Sequence, residues 1–380
     1  MNDFQRLTQT LQNRDETCAL ATVVQTEGST YRHTGARMLM FRDGTMIGAI
    51  SGGCLENDVF ERALAVIDTG IPQFVVYDGR EDAQRPNGVV TGLGMGCNGV
   101  TSVLVERIEG ANDPFIAALR DALAKQERIC VATAFDVSPN GILTGLHAIL
   151  HANGDILDNF GETVFAERLR ERLTNAAPAV LLSGKPHHIL LQAEGCSVQC
   201  VLEAVPLPKE IIIFGAGYDA VPLPEYASLL GWRTSVLDVR PMMLTQERFP
   251  KAHRIQRFHT ETIQETVAEL GITADTAVVV MTHHLERDAE IVRCVLPYKP
   301  CYVGLLGPKE RFAKIQNLWN ERNYLPNQKL LAPLHTPIGL DIGTETAEEV
   351  ALSIIAEIQA VFNSRKGGFL KQRKRRIHEG

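Results

Sequence analysis

The sequence lacks several of the patterns that would assign it to a specialised class of protein. Its eight cysteines are scattered over 380 residues without a Cys-x-x-Cys pair, so they indicate neither a zinc framework nor a disulfide framework. We expect reduced thiols in a reducing compartment. No apolar run approaches the roughly 20 residues that a membrane-spanning helix needs.

An excess of positive charge is absent as well. The formal net charge is -7 and the sequence pI is ≈ 5.9, which argues against nucleic-acid binding because neutralising phosphates needs a basic surface. Residues 1–14 are polar and amphipathic rather than typical of a signal peptide. We therefore expect a cytoplasmic protein with no nucleic-acid or membrane partner. The basic segment from Arg365 to Arg376 is short and predicts a solvated terminus.

Length and apolar content predict two domains. A chain of 380 residues exceeds the size at which one core stops growing, and 45% hydrophobic residues suffice for packed cores. The segment from Glu203 to Glu210 contains Pro206 and Pro208, as is typical of a linker. The predicted fold class is α/β, with an N-terminal mixed α+β domain over residues 1–207 and a C-terminal Rossmann-like parallel-sheet domain over residues 208–380.

The stretch from Ile50 to Glu56 predicts a strand, a turn with two glycines and the start of a helix. Gly52 and Gly53 let the backbone approach a ligand closely, and free N–H groups at a helix N-terminus attract anions. That setting favours the thiolate of Cys54, which would then be a nucleophile or a soft metal ligand. The alternative is a small buried side chain beside a tight turn.

A second glycine-flanked thiol, Cys97, lies in the segment from Gly92 to Gly99, which has four glycines in eight residues. Two such thiols in one domain would suit a metal bound by thiolates or a transferable sulfur. The alternative is that these glycines form ordinary turns. Arg32, within the donor-rich segment from Gly28 to Gly35, is a candidate for anion binding, although a solvated loop has the same composition.

The C-terminal half opens with a dinucleotide-type pattern. The apolar strand Ile211 to Phe214 runs into a Gly-x-Gly-x-x-Ala motif at Gly215 to Ala220, then a helix and a second strand that ends in Asp238. That acid has the usual spacing for bonding a ribose hydroxyl. Pro222 and Pro224 predict that the helix starts late or is distorted, and Arg240 could bind a phosphate on the ribose instead.

Other polar groups follow predicted strands of the same domain, where a parallel sheet places its ligand crevice. His283 is a candidate acid, base or metal ligand, with helix capping or a ribose contact as the alternatives. Gly307 ends the next strand, and Asp341 lies in the glycine-bearing loop from Pro337 to Gly343. Elsewhere, the pattern predicts a helix over 160–173 and a strand over 179–182.

Together these motifs resemble the XdhC/CoxI family of accessory factors for xanthine dehydrogenase and related molybdenum hydroxylases. The matching segments run in order through both halves of the chain: Tyr31 to Met38, Ser51 to Glu56, Gly94 to Gly99, Gly215 to Ala220, Thr282-His283, Gly304 to Gly307 and Pro337 to Gly343. The resemblance implies a homodimeric chaperone rather than a turnover enzyme. Such a protein binds molybdenum cofactor, helps a cysteine desulfurase to replace an oxo ligand by sulfur, and hands the cofactor to the apo-hydroxylase.

By that resemblance, Cys54 and Cys97 would contact sulfur or molybdenum, and the Gly215 to Ala220 turn would take a phosphate or nucleotide. The accompanying candidates for cofactor binding are Arg32, Gly52, Gly53, Gly96, Asn98, Gly215, Gly217, Asp219, Asp238, His283, Gly307 and Asp341. Tyr218 stands where the family usually has histidine, and tyrosine does not titrate near neutral pH.

Two other functions remain open from the residues alone. An NAD(P)-dependent oxidoreductase would use the glycine motif, Asp238 and His283, but it would not need the two cysteine segments. A structural adaptor would bind no ligand.

Overall fold

A computed structural model describes residues 2–80, 89–90, 98–136, 145–193 and 196–373. The chain divides into two compact units, Asn2–Leu207 and Pro208–Gly380. The first contains two mainly antiparallel sheets with helices, and the second contains an all-parallel six-stranded sheet. The predicted fold class is confirmed. No helix in the described ranges has both the length and the apolar character needed to cross a membrane.

The first unit carries two sheets with strand orders β3-β2-β1-β6-β4-β5 and β10-β11-β7-β8-β9. All neighbours pair antiparallel except β4 and β5. The elements are α1 Asp3–Asn13, β1 Cys18–Gly28, β2 Arg37–Met40, β3 Met46–Gly48, α2 Glu56–Thr69, β4 Gln73–Asp78, β5 Val89–Val90, β6 Gly99–Ile108, α3 Pro114–Ala124, β7 Ile129–Asp136, β8 Leu146–His151, β9 Ile156–Asp158, α4 Val164–Ser183, β10 His187–Ala193 and β11 Cys196–Ala204.

The two sheets of the first unit pack face to face, and a helix covers the outer face of each. Ala19 and Ala21 of β1 belong to the core beneath α2. Leu20, between them, belongs to a core shared with Val131 and Ile149 of the other sheet. Successive strand residues point to opposite faces, so β1 is buried along most of its length because both of its faces are covered.

The predicted strand over 179–182 is wrong, because those residues form the last turn of α4. A four-residue apolar run does not separate a strand from a buried helix segment. The wider spacing does, since Leu169, Leu173, Ala177 and Val180 recur every three or four residues and are all buried against β7 and β11.

The second unit has strand order β14-β13-β12-β15-β16-β17. Its elements are β12 Glu210–Phe214, α5 Pro222–Leu229, β13 Arg233–Asp238, β14 Arg254–Arg257, α6 Ile263–Glu269, β15 Thr276–Val280, α7 Leu285–Val295, β16 Tyr302–Leu305, α8 Lys309–Glu321, α9 Gln328–Leu331, β17 Leu334–His335 and α10 Ala347–Phe362. One face of the sheet packs on α6, α7 and α8, and the other packs on α5 and α10. The chain leaves β12 toward β13 and later continues from β15 on its other side, so the topological switch lies between β12 and β15.

The first helix of this unit begins late, at Pro222, with Val221 as its N-cap. Both prolines therefore fall in the first turn, where backbone N–H groups have no intrahelical partner in any case. The residues between Gly215 and Val221 form turns instead of helix. Pro222 and Pro224 consequently lengthen the turn that follows β12 without disrupting α5.

A buried ion pair joins the two sheets of the first unit. Arg37 of β2 donates from Nη2 to Glu203 of β11 at 2.6 Å, and their side chains are 3% and 8% exposed. Arg37 also donates to the carbonyl of Gly35 at 2.7 Å and lies 4.0 Å from the ring centroid of Phe4. The pair is thus enclosed and hydrogen-bonded, so loss of either partner leaves a buried group unpaired.

We expect Glu203→Gln to lower the free energy of unfolding by about 3–5 kcal/mol, because Arg37 would keep its charge without a counter-ion. Urea titration followed by circular dichroism measures this. Asp68→Asn is the matched control: Asp68 pairs with Arg42 on the surface, where both side chains are more than half exposed, and its loss should cost less than about 1 kcal/mol. Equal effects of the two substitutions would contradict this role for the buried pair.

Candidate functional site

Cys54 lies in the turn that leads into α2, two residues before the first helical residue. The Ser51 hydroxyl accepts from the backbone N–H groups of Gly53 at 3.1 Å and Leu55 at 3.2 Å. The Glu56 carboxylate accepts from the N–H groups of Ser51 and Leu55 and from the Ser51 hydroxyl. The donors of this turn are therefore largely satisfied within the turn, which fixes its shape before any ligand binds.

Cys54 is partly buried, as Cys301 is, whereas Cys18, Cys130, Cys200 and Cys294 are buried. Burial raises the pKa of Cys18 to about 12, raises the pKa of Cys130, Cys294 and Cys301 to about 11, and raises that of Cys200 as well. Cys54 is only partly buried, at the edge of the core beneath α2. The preceding Gly53 has φ +108° and faces open space, a conformation that favours glycine. The Cys54 thiol is thus reachable from solvent on a preformed turn.

Two other predicted segments adjoin this turn. The exposed Tyr31 ring lies against Gly52, where an added Cβ would sit 3.4 Å from the ring. The Ser29 N–H donates to the carbonyl of Asn98 at 3.3 Å. The segments 29–35, 51–56 and 98–99 are therefore neighbours, although the sequence separates them widely.

The other predicted site residues of the first unit lie in different settings. Cys97 and Gly96 lie outside the described residues. Arg32 donates to Asp3 of α1 at 2.6 Å, so its guanidinium anchors the segment after β1 to the first helix. The described residues contain no group of three or more His, Cys, Asp and Glu side chains that could hold a metal ion.

The second unit presents its glycine turn at the switch between β12 and β15. Gly215 has φ +121°, and a Cβ there would overlap the carbonyl oxygen of Met281 at the end of β15. The N–H of Ala216 donates to Asp238 Oδ2 at 2.7 Å. Both contacts hold the turn close to the sheet. The approach of Gly215 to the Met281 carbonyl requires a residue without a Cβ.

Arg248 supports the same turn from outside. Its Nη2 donates to the carbonyls of Ala216 at 3.0 Å and Gly217 at 3.4 Å. With those carbonyls held, the backbone N–H groups of Gly217, Tyr218 and Asp219 make no hydrogen bond to any described residue. Consecutive free N–H groups in a turn form an anion-binding concavity, so this turn can accept a phosphate or carboxylate.

An Asp–His pair stands beside those free N–H groups. Asp219 Oδ2 and His283 Nε2 are 2.9 Å apart. Asp219 follows β12 and His283 follows β15, the two strands at the topological switch. His283 has φ +61°, an uncommon backbone conformation that costs energy and is enriched at functional sites. Its side chain is 60% exposed, while the other carboxylate oxygen of Asp219 is buried without a partner among the described residues. This pair can hold a proton next to a bound anion.

The residue before His283, Thr282, belongs to a buried hydrogen-bond network that holds His283 in place. Thr282 donates from its hydroxyl to the fully buried Asp288 at 2.6 Å, and Arg311 donates to the other oxygen of Asp288 at 2.5 Å. Gly307, with φ +129°, makes room for the Arg311 side chain. The helix cap at α7 belongs to His284, which accepts from Arg287 N–H at 3.4 Å. His283 is therefore not used as a cap.

The predicted ribose ligand, Asp238, is fully engaged. Its two oxygens accept from Ala216 N–H, Arg240 N–H and two atoms of the Arg240 guanidinium, which fills the roughly four acceptor positions of a carboxylate. Burial opposes its ionisation, but the bonds from Arg240 and Ala216 outweigh burial and hold the Asp238 pKa below its ordinary value. A ribose hydroxyl would have to displace one of these bonds.

The loop with Asp341 is anchored separately. Glu357 accepts from the Tyr302 hydroxyl at 2.5 Å and from Gly339 N–H at 2.8 Å, and it lies 3.0 Å from His335 Nδ1. Burial opposes ionisation of Glu357, yet these hydrogen bonds leave its pKa lowered, and burial beside Glu357 raises the pKa of Tyr302. Asp341 itself is exposed.

Sequence reasoning missed the side chains that hold the candidate groups in place, above all Arg248 and Arg311. Each reaches a partner more than 20 residues away, and no spacing rule links such pairs. The contact between Ser51 and Glu56 is different, because the two residues are only five apart in the sequence. A hydroxyl in a turn followed closely by an acid in the first helical turn is a pattern that sequence analysis can use.

The comparisons with known proteins cover both units. The model of the XdhC and CoxI family matches residues 11–78, and the XdhC Rossmann domain model matches residues 211–358. The chain is 32% identical over 358 residues to a protein of Bacillus subtilis named as a probable xanthine dehydrogenase subunit, covering 94% of this chain and 97% of that protein.

Two further relatives extend the comparison. The chain is 21% identical over 350 residues to the molybdenum cofactor insertion chaperone PaoD of Escherichia coli, covering 90% of this chain and 82% of that protein. A crystal structure described as a xanthine dehydrogenase from Bacillus halodurans superposes with a TM-score of 0.73 at 30% identity, covering 96% of this chain and 97% of that one.

We expect Asp238→Asn to lower the free energy of unfolding by about 2 kcal/mol at pH 7, the scale of hydrogen bonds to a charged group. Because the Asp238 pKa is lowered by folding, its contribution is present above the unfolded value near about 4 and is lost as pH falls through the folded value. The gap between wild type and variant in urea titrations should therefore narrow as pH falls below about 4. Asp275→Asn, at an 82% exposed carboxylate, should show a gap below about 1 kcal/mol throughout; a gap for Asp238→Asn that persists in acid would refute the ionic role.

Proposed function

Because this chain belongs to the XdhC and CoxI family, we propose that it is a chaperone of molybdenum cofactor. It binds the cofactor, supports exchange of an oxo ligand on molybdenum for sulfur, and delivers the product to an apo-enzyme, xanthine dehydrogenase or a related molybdenum hydroxylase. The observation that carries this proposal is the reachable Cys54 thiol on a turn whose donors are already satisfied by Ser51 and Glu56.

Cys54 fits the metal end of such a cargo. A thiolate is a soft ligand, suited to a sulfur-rich metal compound, and Cys54, alone or with Cys97, leaves the remaining coordination positions to the cargo's own ligands. A chaperone must also release what it carries, and one or two protein ligands are easier to replace than a closed set. The rigid turn keeps the sulfur in place while the ligands on molybdenum change.

The glycine turn of the second unit fits a phosphate group. The free N–H groups of Gly217, Tyr218 and Asp219 supply the donors, and Arg248 and Asp238 hold the turn in the binding shape. His283, when protonated and paired with Asp219, adds positive charge beside the anion. Tyr218, at 75% exposure, can add a hydroxyl donor but no charge.

The partners follow from the reaction. Sulfur must come from a donor protein, and a cysteine desulfurase supplies it as a persulfide. The acceptor is an apo-hydroxylase whose cofactor site is still open. We further propose that the chain works as a homodimer, in line with the family it belongs to.

The second candidate function is an NAD(P)-dependent oxidoreductase, favoured by the order of strand, glycine turn, helix and acid in the second unit. Asp238 weighs against it, because the acid that would bind the ribose is already occupied by Ala216 and Arg240. Titration with NADH and NADPH separates the two: micromolar binding with turnover of a carbonyl substrate would favour the oxidoreductase.

We expect Cys54→Ala to weaken binding of molybdenum cofactor by at least about tenfold, the scale of one lost ligand interaction of roughly 1.4 kcal/mol. Bound molybdenum is measured by mass spectrometry, and bound pterin is measured by fluorescence after release. Cys301→Ala is the matched control, because its thiol donates to the carbonyl of Thr276 within the second unit. Affinity that is equal in wild type and Cys54→Ala, or absent from both, would remove the proposal.

We expect Gly217→Ala to weaken pyrophosphate binding by about tenfold, because the added Cβ would lie 2.7 Å from Asp219 Oδ1 and would push that carboxylate from its place beside His283. Isothermal titration calorimetry with pyrophosphate measures the effect. Gly368→Ala is the control, since that position has an ordinary φ and nothing within 4 Å of an added Cβ. Unchanged affinity in Gly217→Ala would place the phosphate elsewhere.

A further inference from the structure

A second polar centre lies in the first unit, where β6 of one sheet meets β8 of the other. A cavity of ≈ 230 Å³ opens there. Its lining includes Glu106, Arg107, Phe115, His147 and Leu157. No residue of this cavity was predicted as a site residue.

Glu106 and His147 form its polar wall. His147 Nε2 donates to Glu106 Oε2 at 2.6 Å, and both side chains are more than nine-tenths buried. The Thr133 hydroxyl lies 3.4 Å from His147 Nδ1. The Asn159 amide oxygen accepts from the His147 backbone at 2.7 Å and fixes the strand beside it.

The second carboxylate oxygen of Glu106 has no donor among the described residues. Oε1 is buried and makes no hydrogen bond to any residue that the structure describes. Arg107, the nearest basic residue in the sequence and also a lining residue, is turned to the carbonyl of Ile67 at 3.3 Å and to Glu109 at 2.8 Å. Burying an acceptor without a donor is unfavourable, so an N–H or O–H group of a ligand would relieve a penalty that the described residues leave in place.

The rest of the lining is partly apolar and partly polar. The rings of Phe115 and His147 are stacked, with centroids 4.3 Å apart and planes at 14°, and Leu157 adds apolar surface. Two further carboxylates line the cavity but already have partners: Asp113 accepts from the N–H groups at the start of α3, and Asp158 accepts from Arg170. Aromatic and apolar surface beside a carboxylate with a spare oxygen suits a planar ring whose edge donates hydrogen bonds.

We propose that this cavity binds a flat heterocycle that presents adjacent N–H donors to Glu106, namely the 2-amino-4-oxopyrimidine edge that pterins and guanine share. Two parallel N–H groups match the two oxygens of one carboxylate: Oε1 has no donor among the described residues, and Oε2 keeps a second acceptor position beside the bond from His147. The pterin occupant rests on the proposed function, since the cargo carries that ring; the guanine occupant does not.

Calorimetric titration of the full-length protein with 6-methylpterin, guanosine and inosine tests this. Inosine differs from guanosine only in lacking the 2-amino group. We expect 6-methylpterin or guanosine to bind at least about tenfold more tightly than inosine; which of the two binds identifies the source of the ring. No binding of either, or equal binding of inosine, would overturn the inference.

Glu106→Gln should weaken binding of the preferred ligand by about tenfold or more, because the amide replaces one acceptor by a donor. Glu127→Gln is the matched control, since Glu127 also contacts a histidine, His151 at 2.8 Å, but does not line this cavity. If Glu106→Gln does not fold, Leu157→Trp, at an exposed lining position, should block the cavity and abolish binding. Wild-type affinity in a folded Glu106→Gln or in Leu157→Trp would overturn the inference.

The outcome is separable from the proposed function. Free 6-methylpterin carries no metal, so its binding does not depend on Cys54 and should be unchanged in Cys54→Ala. Molybdenum binding that depends on Cys54, combined with no binding of free pterin or guanosine, would reject this cavity as a ligand site and leave the chaperone proposal standing.

Discussion

The carboxylate of Asp238 ties the turn after β12 to the end of the neighbouring strand, and the candidate site of the second unit depends on that bond. It accepts from the Ala216 backbone and from Arg240, so it cannot easily serve a ligand as well. Arg248 holds the carbonyls of the same turn. With these peptide groups committed, the N–H groups from Gly217 to Asp219 have no acceptor among the described residues. This arrangement supports our proposal of a phosphate, rather than a whole dinucleotide, at the turn.

In the first unit, buried polar pairs also hold elements together. They fix the position of one sheet relative to the other. Arg37 with Glu203, and His147 with Glu106, each join a strand of one sheet to a strand of the other. Apolar packing between sheets tolerates small slides, whereas hydrogen-bonded pairs at fixed positions do not. The first pair is satisfied, but the second leaves one oxygen without a donor among the described residues. That asymmetry separates a structural contact from a candidate binding site.

The sequence carried enough information for the architecture and for the chemistry at the ends of single segments. The order of strand, glycines, helix and acid from Ile211 to Asp238 predicts the parallel sheet because those signals are local. The turn at Cys54 was predicted for the same reason. The pairing of Asp219 with His283 joins residues 64 apart, and the support from Arg248 comes from 31 to 32 residues away. Such contacts depend on tertiary packing, and one sequence contains no periodic signal for them. The last turn of α4 was mistaken for a strand because four apolar residues were considered without the longer helical spacing around them.

Gly28 and Gly99 face each other at the ends of β1 and β6. A Cβ on Gly28 would lie 2.8 Å from the carbonyl oxygen of Asn98, and one on Gly99 would lie 2.6 Å from that of Glu27. With no side chain between them, the two backbones cannot move independently. A ligand that displaced the segment after β1 would therefore shift the chain entering β6 in the same motion. Conformational change in the first unit would then be transmitted through the contact between Gly28 and Gly99. A single added methyl group at either position would force the two strand ends apart.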